Sequence, residues 1–123
     1  MKSNKPILVV DDDPDIRESI ASALEIEGYP VLMAENGQAA LDLLLALTED
    51  ALPRCIMLDL MMPVMTGEEF LSVIKDKYED LRKIPIVVAS ANGSLLMNKL
   101  PAKEVLKKPI DINDLYRIAE QYN

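Results

Sequence analysis

Ile7-Leu8-Val9-Val10-Asp11-Asp12-Asp13-Pro14 decides the fold. Four apolar residues run into three consecutive carboxylates, and a proline then opens a helix-like stretch. A strand that is apolar at every position suits a parallel α/β sheet covered by helices on both faces. A second run, Cys55-Ile56-Met57-Leu58, ends the same way on Asp59. If both strands lie in one parallel sheet, their acidic ends meet at its carboxyl edge, where open α/β folds place their ligands. Clustered carboxylates repel one another, so such a site needs a cation, a shared proton or a basic side chain.

Working outward, apolar runs alternate with helix-like segments. Pro14 to about Glu27 reads as a helix, with Asp13 as N-cap, Pro14 at its first position and Gly28 as its stop. Ile16, Ile20, Ala23, Leu24 and Ile26 form its apolar face. Pro30–Ala34 reads as a second strand. Asn36 caps a helix from Gly37 to about Thr48 that turns Ala40, Leu41, Leu44, Leu45 and Leu47 inward. After Cys55–Leu58 comes a helix from Gly67 to about Tyr78, with Phe70, Leu71, Val73 and Ile74 inside. Ile86–Ala89 is the fourth strand, ending at Ser90, and Asn92-Gly93 is a turn. A fourth helix over Ser94–Leu100 is short and is cut off by Pro101. Val105–Lys107 is a brief fifth strand, and Asp111 or Asn113 caps a last helix to about Gln121. The order βαβαβαβαβα, with right-handed crossovers, predicts an α/β doubly wound five-stranded parallel sheet. Residues 1–123 read as a single domain without an output domain.

Composition narrows the function. The 123 residues include 21 acidic and 13 basic ones, for a net charge of −8. No basic patch offers itself to phosphates, so direct nucleic-acid binding is not expected. No apolar stretch reaches the length of a membrane span, and a cytoplasmic protein is the expectation. Histidine is absent. The commonest general base is therefore missing, and any phosphohistidine must come from another protein. The lone Cys55 lies within an apolar run and reads as a packing residue.

The strand ends would deliver Asp11, Asp12, Asp59, Ser90 and Lys108 to one edge. Ile7–Asp12, Asp59-Leu60-Met61-Met62-Pro63 with Gly67, Ser90-Ala91 and Lys108-Pro109 occur in that order, each at the end of its own strand. On these motifs the chain resembles a response-regulator receiver domain of two-component signalling, chemotaxis-regulator-like and stand-alone, over essentially its whole length. The resemblance implies the (βα)5 flavodoxin-like receiver fold. It makes Asp59 the phosphoacceptor, loaded by a histidine kinase or histidine phosphotransfer protein. Asp11, Asp12 and Asp59, with the backbone carbonyl of Met61, would hold Mg2+ through hard oxygen ligands. Lys108 would contact a phosphoryl oxygen, and Ser90 would donate its hydroxyl to the new group. Pro109 makes a cis peptide after Lys108 an expectation of the family. The protein would catalyse only its own loading and slow hydrolysis. It would signal through an unknown output protein, with a phosphorylation-dependent dimer as one route.

Bland roles compete at several positions. Asp13 is read as a helix start rather than a ligand, Lys107 as a solvated neighbour, and Met57, Met61, Met62 and Met65 as packing. Two features depart from the family pattern. Val105 stands where many receivers carry an aromatic switch residue, and Ser90 to Lys108 spans 18 positions, about one helical turn short. A Mg2+-dependent aspartyl phosphohydrolase is an alternative, but it wants an acid two residues after the nucleophile, where Met61 stands. A pseudo-receiver with a degenerate pocket is another, and the intact Asp11, Asp12, Asp59, Ser90 and Lys108 set argues against it.

Overall fold

The structure is a computed structural model that describes residues 5–59, 64–90, 102–108 and 110–122. Its strands are β1 (Ile7–Val10), β2 (Val31–Ala34), β3 (Cys55–Asp59), β4 (Ile86–Ser90) and β5 (Glu104–Lys107). They form one parallel sheet in the order β2-β1-β3-β4-β5. The described helices are α1 (Pro14–Ile26), α2 (Gly37–Ala46), α3 (Gly67–Lys77) and, at the C-terminal end, α4 (Ile112–Gln121). The expected doubly wound sheet is present. The turn at Asn92-Gly93 and the short helix over Ser94–Leu100 fall outside the described residues.

Residues two apart along a strand face the same side, and that alternation divides the core in two. Leu8, Val10, Ile56, Leu58, Ile86 and Val88 pack on the α2–α3 side with Ala40, Leu41, Leu44, Phe70 and Ile74. Ile7, Val9, Cys55, Met57 and Val87 pack on the α1–α4 side with Ile20, Leu24, Leu115 and Ile118. Every residue of β1, β3 and β4 is buried, whereas the outer strands β2 and β5 are mixed. Phe70, wholly buried, anchors the first layer. Burying a ring of that size is worth about 1.5–3 kcal/mol relative to leaving it exposed.

The caps fix where each helix leaves the sheet edge. Asp13 accepts from the Asp15 and Ile16 amides at 2.9 and 3.4 Å, as a helix start should. Asn36 caps α2 and Asp111 caps α4. A capping box between Thr66 and Glu69 starts α3. That Thr-x-x-Glu signature is plain in the sequence.

Several inward assignments fail, and helix geometry explains them. Ile26 is 81% exposed, because two residues beyond buried Leu24 is about 200° round the helix. Ile16 is 40% exposed at the start of α1, while Ala21 takes an unexpected core place. On α2, Leu45 points outward beside buried Leu44, and the helix stops at Ala46, two residues early. A short 3-10 turn at Glu49–Ala51 follows it. Leu47 and Val73 are half-buried rather than core. No described helix is long and apolar enough to cross a membrane.

Candidate functional site

Sheet register brings the sequence-expected residues together. Val10 pairs with Leu58 and Leu58 with Val88, so Asp11, Asp59 and Ala89 lie at one level, with Ser90 a step beyond. Ser90 pairs with Lys107, and its carbonyl accepts the Lys108 amide at 3.0 Å. Four strands thus present Asp11, Asp12, Asp59, Ser90 and Lys108 at the same carboxyl edge. Asp11, Asp59 and Ser90 are buried, whereas Asp12 is exposed.

Oxygens of Asp11, Asp12 and Asp59 lie within 4.8 Å of one another. Lys108 reaches in from the end of β5, its Nζ 3.0 Å from Asp59 Oδ1 and 3.6 Å from Asp11 Oδ2. Burial opposes the Lys108 ammonium, but its hydrogen bond to Asp59 and the Asp11 charge outweigh that, holding it above the usual lysine range. Among the described residues Lys108 pairs with two of the three carboxylates and Arg17 adds a second cation at the Asp11 carbonyl, which still leaves fewer positive than negative charges there.

Asp11 is held at four points. Its amide donates to the Ala34 carbonyl at 3.2 Å, and its Oδ1 accepts the Asp13 amide at 2.9 Å. Its carbonyl accepts Arg17 Nη1 at 2.7 Å, and Lys108 approaches Oδ2. Sequence reading missed Arg17. An arginine on the first turn of α1 is a visible cation beside three aspartates, but only the fold shows that it bonds a backbone carbonyl. Asp13, turned to its capping role, takes no place in the acidic cluster found among the described residues. Lys107 is exposed and Cys55 buried, its thiol pushed up to about 12 by burial. Val105 is half-buried against the α2–α3 layer. Met61, the expected carbonyl ligand, and Pro109, with its expected cis peptide, lie outside the described residues.

The donor set fits a hard divalent cation. Three carboxylates offer oxygen and no soft ligand, and oxygens gathered this closely could share one hard ion that keeps several waters. Excess negative charge supplies the attraction.

Comparison with known proteins agrees. Residues 7–120 match the model of the response regulator receiver domain. A protein of Leptolyngbya boryana, described as an uncharacterized 14.6 kDa protein, is 36% identical over 94% of this chain and 88% of its own length. Response regulator MprA of Mycolicibacterium vanbaalenii is 36% identical over 89% of this chain, which spans only 46% of MprA. Transcriptional regulatory protein CpxR of Escherichia coli is 33% identical, and the chain likewise spans 45% of it. Among solved structures, chemotaxis protein CheY4 of Vibrio cholerae superposes with a TM-score of 0.82 at 25% identity, covering 98% of this chain and all of the other. TrrA of Thermotoga maritima, solved in complex with Mg2+ and BeF, gives 0.79 at 31% identity, covering 97% and 99%. The chain belongs to the response regulator receiver domain family of two-component systems.

Proposed function

We propose that the chain accepts a phosphoryl group on Asp59 from a phosphohistidine of a partner protein, in a reaction that requires Mg2+. The observation that carries this reading is buried Asp59 bonded to Lys108 at 3.0 Å, within a three-carboxylate cluster that one lysine does not neutralise. A carboxylate oxygen of Asp59 attacks phosphorus, the P–N bond breaks, and the departing imidazole nitrogen keeps the electron pair and is protonated. The product is an acyl phosphate. In hydrolysis water attacks the same phosphorus, the P–O bond to Asp59 breaks, and the carboxylate leaves. Asp59 is a weak nucleophile, so position and charge must supply the rate.

The chain's own residues divide that work. Lys108 orients Asp59 beforehand and can shift to a phosphoryl oxygen afterwards. Ser90, level with Lys107 at the end of β4, can donate its hydroxyl to the new group. Asp11, fixed at four points, and exposed Asp12 would complete the cation site with Asp59. Bound there, Mg2+ would neutralise the carboxylates and offer the phosphoryl oxygens a positive centre. An apolar cleft of about 390 Å3, lined by Ile16, Ile20, Ile110, Ile112 and Leu115, opens beside Lys108. It gives the donor protein a surface next to the acceptor.

A histidine kinase or histidine phosphotransfer protein supplies the phosphoryl group, since the chain has no histidine. The new group adds about −1.5 to −2 charge where Ser90 and Lys108 can respond, and output passes through contacts with another protein. Net charge of −8 supports a protein partner over nucleic acid for this unit. The test is intact mass after incubation with Mg2+ and acetyl phosphate. A single phosphoryl adduct, absent with EDTA, is expected; no adduct on folded protein, coupled with no Mg2+ binding, would refute the reading in favour of a pseudo-receiver.

A further inference from the structure

We propose that Gly37, which has no functional group to offer, is a positioning residue for the chemistry at Asp59, because Met65 seats in the space its missing Cβ leaves. The inference rests on Asp59 being the phosphoacceptor.

Gly37 is the first residue of α2 and is buried. It follows β2 by three positions, at the edge where the Ala34 carbonyl accepts the Asp11 amide. A Cβ built on Gly37 would lie 2.9 Å from Met65 Cγ, 3.0 Å from the Met65 carbonyl oxygen and 3.1 Å from Met65 Cβ. A thioether can swing aside. A carbonyl oxygen and a Cβ cannot, because they move only with the chain. Gly37 is not in the left-handed region, and position N1 of a helix accepts alanine, so among the described residues close contact with Met65 is what calls for glycine here.

Met65 comes six positions after Asp59, and three devices fix the chain there. Val64 turns at a left-handed φ of 69° although it is β-branched and exposed. Met65 packs against the α2–α3 layer. Thr66 then closes the capping box of α3. Asp59 is anchored at one end of this span by β3, and Gly37 holds the other end by receiving Met65. Moving that seat displaces Met65, which the chain ties to Asp59 through only six peptide steps.

Gly28 supplies the control. Its φ is +89° and nothing lies within 4 Å of an added Cβ, so Gly28→Ala strains the backbone while displacing no neighbour. The experiment measures three quantities for wild type, Gly37→Ala and Gly28→Ala: thermal midpoint, loading rate with Mg2+ and acetyl phosphate, and loss of the adduct afterwards. Reacting geometry is sensitive to ångström displacements, so a shift of a few tenths is expected to change loading or adduct loss in Gly37→Ala about threefold to tenfold. Gly28→Ala should lower the midpoint and keep wild-type rates. Met65→Ala should shift the rates in the same sense and combine non-additively with Gly37→Ala. Wild-type rates in folded Gly37→Ala, or strict additivity, overturn the inference. If Gly37→Ala does not fold, unchanged rates in Met65→Ala overturn it instead. No adduct on wild type is a different failure, of the phosphoacceptor reading itself.

Discussion

Lys108 and Arg117 each sit among acidic partners, Arg117 with Glu104 and, at 3.8 Å, Asp114, and the two clusters differ in burial and in how their carboxylates are completed. Arg117, on α4, pairs with Glu104 of β5, and the Tyr122 hydroxyl donates to the second Glu104 oxygen at 2.8 Å. Each Glu104 oxygen has its donor, and the group ties the outer strand to the last helix near the surface. Burial works against the Glu104 carboxylate, but the hydrogen bonds from Arg117 and Tyr122 prevail and hold it below the usual range. Lys108 instead faces two carboxylates that are each only 5% exposed, with Asp12 as a third. A cluster that completes itself contributes to the fold. Buried carboxylates that share one ammonium at the sheet's carboxyl edge are the arrangement on which the proposed cation and phosphoryl chemistry rests.

The largest expected effect breaks the comparison at its chemical end. Asp59→Asn keeps the shape and removes the proposed nucleophile, so the phosphoryl adduct should vanish from intact mass spectra. An adduct of undiminished yield would place the chemistry on another residue. Lys108→Met comes next. Losing one preorganised positive group should slow loading by about 10²-fold. The variant also leaves Asp11 and Asp59 with no ammonium, so Mg2+ should raise its thermal midpoint more than it raises wild type's. A ligand at 100 times its Kd adds about 2.7 kcal/mol. Equal Mg2+ shifts in both proteins would show that Lys108 and the cation do not share the carboxylates.

What could be read from the chain tracks how local each cause is. The apolar runs of β1, β3 and β4 announced a parallel sheet, and each acidic or hydroxyl strand end announced its place at the edge. Asp13 was legible as a cap because its partners are two and three residues away. Arg17 to the Asp11 carbonyl was harder, since it depends on the first turn of α1 folding back over the strand end. Contacts between distant elements were not legible at all. Arg54, buried with its Nε donating to the Lys5 carbonyl and its guanidinium over the Tyr29 ring, looks from sequence like an ordinary surface residue. Glu104 lies one residue before the strand expected at Val105–Lys107, and only α4 packing beside β5 gives it partners. Leu45 misled because a leucine-rich helix has more apolar residues than one buried face can hold.

Glu104→Gln tests the self-satisfied cluster. It should cost about 0.2–1 kcal/mol by denaturant titration, since Arg117 is half-exposed, and should leave loading at Asp59 unchanged. The carboxyl is held below its ordinary value, so its contribution is present above about pH 4.5 and is lost as pH falls. The stability gap between wild type and Glu104→Gln should therefore close on acidification. A gap constant from pH 7 to pH 3 would mean that packing, and not charge, is what Glu104 provides.

Tyr122→Phe is the smallest change and has the opposite pH signature. Burial and the hydrogen bond to Glu104 push the phenol up from 10.0 to about 12. A raised value means the folded protein holds the proton more tightly than the unfolded chain. The contribution is complete below pH 10 and is lost as pH climbs from 10 toward 12. The lost bond goes to an ionised carboxylate, but Arg117 still pairs that group near the surface, so the cost should be about 0.5 kcal/mol, the low end for a hydrogen bond. The gap to wild type should hold steady from pH 6 to 9 and shrink on the alkaline side, where the Glu104→Gln gap follows only in part, since burial still raises the phenol without the Glu104 charge. If both variants lose their gaps over the same pH range, Glu104 and Tyr122 act as one titrating unit, and the two limbs assigned to them collapse into one.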